Sequence, residues 1–82
     1  MENRAVVDVE ALHKLDPENE YVEALAPYPY MMRADDVAEF LGQTRQAVTG
    51  FLREGTLRGV KSGSTWRVSK FALIKFLKEN EN

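Results

Sequence analysis

Arg45 and Gln46 stand side by side between Thr44 and Thr49, a set of side chains suited to reading the edges of base pairs. A guanidinium donates to the two acceptors of guanine, and a carboxamide matches the acceptor and donor of adenine, each good pair discriminating by about 1–3 kcal/mol. Threonine hydroxyls can join in base reading or bind phosphate. A second group follows at Lys61, Ser62, Ser64, Thr65 and Arg67, clustered about Gly63. Basic and hydroxylic side chains at a turn, with its backbone N–H groups, bind phosphate oxygens, and an arginine there also suits a narrow A·T-rich minor groove. Arg53 and Arg58 lie between the two groups and are expected either to bind phosphate or simply to solvate the end of the helix. Catalytic chemistry is poorly provided for. His13 is the single histidine, there is no cysteine, and no nucleophile, glycine-rich phosphate loop or metal-ligand spacing accompanies it. No enzyme activity, cofactor or metal is therefore expected, and Glu18, Glu20 and Glu23 read as a solvated helix start.

Base reading requires a helix that presents its N-terminal residues, and the surrounding sequence supplies one. Ala34, Val37, Ala38 and Leu41 fall on one helical stripe, with Asp35 and Asp36 in the first turn where the dipole favours acids. Gly42 ends that helix, Gln43-Thr44 makes a short turn, and Thr44 can cap a second helix whose buried side is Val48, Phe51 and Leu52. Gly55 supplies a left-handed close and lets Leu57 fold back onto the apolar side. Two helices on so short a turn cross steeply. From Leu57 the period becomes alternating, with Trp66 and Val68 on one face of a strand and Thr65 and Arg67 on the other. Val60 lies on the partner strand and Ser62-Gly63-Ser64 forms the turn, so Trp66 is expected in the core. Ser69 then caps a last helix from Lys70 to about Lys78, with Phe71, Leu73, Ile74, Phe76 and Leu77 closing the core and Lys70, Lys75 and Lys78 solvated.

The first thirty residues are less legible. Arg4 to Leu15 fits a strand through Val7, Val9 and Ala11 and a helix through Ala11 and Leu15, and stays open. Asp16-Pro17, followed by Glu18 and Glu20, predicts a capped helix from Pro17 to about Ala26. Ala26 to Tyr30, with two prolines, should be a linker or a strap across the domain that begins at Met32.

Charge divides the chain in the same place. The whole carries −2, but residues 1–31 hold seven acids against two bases, whereas from Arg45 to Lys78 eight bases face Glu54 alone. An acidic arm joined to a basic domain points to a polyanionic partner. The acidic arm is charged to contact the basic surface of its own domain or to dock onto another protein. With 82 residues the chain is sized for one domain, too small to add a ligand-sensing one. No apolar run approaches the roughly 20 residues of a membrane span, no signal-peptide pattern opens the chain, and a soluble cytoplasmic protein is expected.

From Met32 to Lys78 this order of helix, tight turn, helix and hairpin resembles the small DNA-binding domains of the excisionase and MerR-like group. The resemblance implies an α+β, mainly α, winged helix-turn-helix with a two-stranded wing and a C-terminal helix over residues 32–82, preceded by the acidic arm, residues 1–31. It implies double-stranded DNA as partner, no membrane, and the role of an excisionase, which binds repeated sites side by side, bends the DNA and directs an integrase or other recombinase. Cooperative self-association on DNA belongs to that role. A small transcriptional regulator of a phage or mobile element, or a protein-binding adaptor or packaging subunit, would use the same fold. Some positions depart from the family pattern. Gly50 stands where a long polar side chain is common, Arg58 where proline is, Ser64-Thr65 where Gly-Arg or Arg-Arg is, and Arg33 where Ser or Thr caps the first helix.

Overall fold

Asp16 organises the first corner of the protein. The computed structural model describes residues 4–81, with side chains from Glu10 onward, so residues 1–3 of the expected arm and residue 82 lie outside it. The segment left open in the sequence is a helix, α1 (Arg4–Leu15). The chain then turns at Asp16, whose buried carboxylate accepts from the backbone N–H groups of Glu20, Tyr21 and Val22 at 3.1, 2.8 and 2.9 Å. Those groups are orphan donors of the next helix, α2 (Glu20–Ala24). The helix expected from Pro17 to Ala26 is thus shorter. Residues 16–19 close as a turn, with Asn19 N–H on the Asp16 carbonyl, and the cap acts from four residues ahead of the helix rather than from its edge.

The proline-rich stretch is a strap. Tyr28 packs edge-on against Phe40, ring centroids 6.1 Å apart, and donates its hydroxyl to Glu39 at 2.8 Å. That bond to a carboxylate raises the Tyr28 phenol above its ordinary pKa. Beyond it the chain runs into a strand, β1 (Met31–Arg33), and straight on into α3 (Ala34–Leu41). The two-stranded wing expected from the sequence is therefore widened to three strands, and Met31 belongs to the sheet rather than to an arm. Three residues abutting a helix carry too short an alternation to be seen in sequence.

Arg33 is the N-cap of α3, and its N–H donates to Asp36 Oδ2 at 3.1 Å. An arginine side chain has no acceptor, so only this reciprocal half of a capping box is made. Gly42 ends α3 at φ 68°, and α4 (Arg45–Glu54) begins after Thr44, whose Oγ1 accepts from Ala47 N–H at 3.1 Å. At the far end of α4, Gly55 takes φ 81° and Leu57 N–H bonds back to the Phe51 carbonyl at 3.2 Å, which places Leu57 in the core.

The hairpin pairs β2 (Val60–Ser62) with β3 (Thr65–Ser69), joining Ser62 to Thr65 across a two-residue turn of Gly63 and Ser64. Gly63, at φ 63°, supplies the positive angle such a turn needs at its first central position. β3 is the middle strand, in the order β1-β3-β2, with all pairs antiparallel. Met32 and Val68 face each other on the inner side, both fully buried. Ser69 Oγ accepts from Ala72 N–H at 3.0 Å and starts α5 (Lys70–Glu79), while Lys70 N–H bonds the Tyr30 carbonyl.

One core holds these parts together. Val37, Val48, Leu57, Val68, Leu73 and Ile74 are fully buried, and Leu12 and Leu25 from the acidic segment join the same cluster. α1 and α2 pack on α5, so what charge alone marked as an arm contributes to the interior. Among the described residues no helix is long and apolar enough to cross a membrane.

Candidate nucleic-acid interface

The start of α4 and the hairpin stand on either side of an open cleft of about 720 Å³. Arg45, Gln46, Thr49 and Arg53 line it from α4, and Lys61, Ser64, Thr65, Trp66 and Arg67 from the hairpin. Arg33, Ala34 and Asp35 close its third side. The spacing arises from two periods. Residues 45, 46, 49 and 53 share one helix face, next to the stripe of buried Val48 and Leu52, and the two-residue turn brings Ser64 and Thr65 to the hairpin tip.

The local chemistry of these groups differs. Arg45 and Gln46 are exposed, and the charged partner of Arg45 is Asp35, with Nε 3.4 Å from Oδ1. Thr49 Oγ1 donates to the Gln46 carbonyl at 3.0 Å and keeps its lone pairs for an incoming donor. Thr44 is exposed but its hydroxyl is engaged as the cap of α4. Lys61 Nζ lies 5.6 Å from the Trp66 ring centre, so that tryptophan serves two roles: it packs on the core from one side and floors the cleft from the other.

Not every residue singled out in the sequence reaches the cleft. Thr44 and Ser62 are exposed at its edge without lining it. Arg58 is on another surface, beside Lys75 and Glu79 over Phe71 and Phe76. Gly50 does not line the cleft either, and a Cβ built on it would meet nothing within 4 Å.

Sequence reasoning missed Arg33, Asp35 and the cleft-facing side of Trp66. Arg33 is brought in by the strand pairing that sets it directly opposite Arg67 in the sheet. Its one sequence signal is the extended bias that Pro27 and Pro29 impose on the chain leading into Met31. Like charges directly opposite on adjacent strands repel. Two arginines placed so, both facing a cleft, form a site with a demand for an anion.

A helix laid against a basic cleft with a hairpin beside it, its N-terminal side chains outward, defines a winged helix-turn-helix domain. The family model for helix-turn-helix domains matches residues 31–81, and the chain belongs to that family, which is associated with small excisionase-like proteins. A helix-turn-helix domain suggests DNA binding. Neither curated proteins nor solved structures give a significant match.

Proposed function

We propose that this protein is a sequence-specific binder of duplex DNA that acts by binding and bending its site, without catalysis, as an excisionase that directs an integrase. The observation that carries the reading is the cleft, in which Arg45 and Gln46 from the helix start face Lys61 and Arg67 from the hairpin. A helix end that enters a major groove reads bases, and a wing beside it contacts the backbone or the neighbouring groove. Arg33, Arg53, Lys61 and Arg67 then supply the phosphate contacts that give most of the affinity and its salt dependence. The excisionase role rests on the family, and it brings with it an integrase and neighbouring copies of the chain as partners on the DNA.

The test is the recovery of bound genomic fragments with the full-length protein, followed by footprinting. Repeated protected sites beside a recombination junction, with bending seen by gel mobility, are expected. A single operator over a promoter would make the protein a transcriptional regulator using the same surface. Binding to no duplex would make it an adaptor.

A further inference from the structure

An acid stands on the DNA-facing wall of a basic cleft. Asp35 lines it and is 64% exposed, and its carboxylate meets the 66% exposed Arg45 at Nε, 3.4 Å away. Its neighbour Asp36 already has a task, accepting the Arg33 N–H at the start of α3. Asp35 has no such bond among the described residues, and an exposed carboxylate opposite phosphate costs affinity. Helix-dipole support explains an acid in the first turn of α3, but Asp36 on the same turn already supplies one without lining the cleft. The location needs a further reason.

We propose that Asp35 is a positioning residue that sets the specificity of Arg45. The proposal rests on the reading of the cleft as a sequence-specific DNA site. By meeting Arg45 at Nε, the carboxylate leaves the two terminal nitrogens of the guanidinium pointing onward, and these form the fork that matches the paired acceptors of guanine. A long arginine without such a partner swings freely and pairs equally well with any phosphate. With Asp35 beside it, a complex on the right sequence fills both ends of the guanidinium. On a wrong sequence Arg45 must leave Asp35 to reach a phosphate, and the carboxylate is left facing the backbone. The effect of Asp35 is therefore a larger gap between specific and non-specific affinity, obtained by weakening the second more than the first.

The experiment uses the full-length protein, a duplex selected from a random pool and a scrambled duplex of the same length and composition, at two salt concentrations. Asp35→Asn and Asp35→Ser remove the charge at an exposed position, so both variants are expected to fold. For each, the ratio of specific to scrambled affinity should fall about tenfold, the size of one base-pair discrimination, chiefly through tighter binding of the scrambled duplex. Asp35→Glu should retain part of the ratio. In an Arg45→Ala background the same substitutions should leave the ratio unmoved. Equal tightening on both duplexes would mean that Asp35 merely repels DNA, and an unchanged ratio that it does nothing; either overturns the proposal. If Arg45→Ala itself leaves the ratio of the wild-type protein intact, the reading of the site falls first, a distinct outcome from the failure of Asp35 alone.

Discussion

Two arginines facing each other across β1 and β3 show how one side chain can serve stability and function with opposite signs. Arg33 and Arg67 are held opposite each other by the strand register, and among the described residues neither forms an ion pair with an acid. Replacing either by alanine should stabilise the free protein by a few tenths of a kcal/mol, up to about 1 kcal/mol, by relieving the repulsion. The same replacement should weaken DNA binding and lower the salt slope by about 0.9. Denaturant unfolding and binding measured across a salt series test the two signs together. Arg45→Ala belongs to a different class, because a base contact, unlike a phosphate contact, carries sequence information. It should cost about 1–3 kcal/mol on the selected site and little on scrambled DNA. Loss of Asp16 should hurt the fold without touching the cleft. Asp16→Ala leaves three backbone donors of α2 without their acceptor, and should cost about 2–3 kcal/mol of stability with DNA affinity per folded molecule unchanged.

At the scale of elements, two glycines that look alike in the sequence behave differently. Gly50 lies inside α4 with open space where a Cβ would stand, so Gly50→Ala should add about 0.5–1 kcal/mol through helix propensity while leaving DNA binding intact. Gly59 precedes β2, and a Cβ there would come within 2.7 Å of Leu52 Cδ2 and 3.0 Å of the Arg67 carbonyl oxygen. Gly59→Ala should therefore push the hairpin off the end of α4 and destabilise by about 1–3 kcal/mol. Thermal melts of the two variants should move in opposite directions. A third element-level tie joins α2 to the segment after α5: Tyr21 donates its hydroxyl to Glu81, and that bond pushes the phenol up to about 12. An unfolded tyrosine titrates near 10, so the folded value is the higher one. The stabilisation is complete below that lower value and is lost as the pH rises through the higher one. The difference in unfolding midpoint between wild type and Tyr21→Phe should thus be constant up to about pH 10 and shrink above it.

For the whole molecule, the distribution of charge and the distribution of core do not coincide. Residues 1–31 carry −5, yet among the described residues none of their acids lines the cleft, and the described part of the segment packs its apolar side on α5. It therefore acts as a buttress of the DNA-binding unit. Leu25→Ala should cost about 2–5 kcal/mol, the usual penalty for emptying a fully buried leucine position. Deleting residues 1–26 removes Leu12, Asp16 and Leu25 at once and should leave a chain that unfolds at low denaturant. Circular dichroism with denaturant tests both.

How much of this was visible in the sequence depends on the range of the interaction. The helices around the tight turn were legible because each is fixed by contacts within a few residues. A stripe at helical spacing, Gly42 and Gly55 at φ values only glycine adopts readily, and Thr44 and Ser69 as caps all act locally. The grouping of Arg45, Gln46 and Thr49 on one helix face comes from the same short-range geometry. What stayed hidden depended on partners distant in the chain. The strand of Met31–Arg33 exists because β3, more than thirty residues later, offers it an edge to pair with. The acidic segment joins the interior because α5 gives α1 and α2 a face to pack on, and the Asp35–Arg45 pair forms only when the turn folds α4 against α3. Local sequence determined which residues make helices, turns and the exposed face of α4. Only the tertiary structure decided which charges meet across the cleft, because strand register and helix docking are set by burial over the whole chain rather than by neighbours along it.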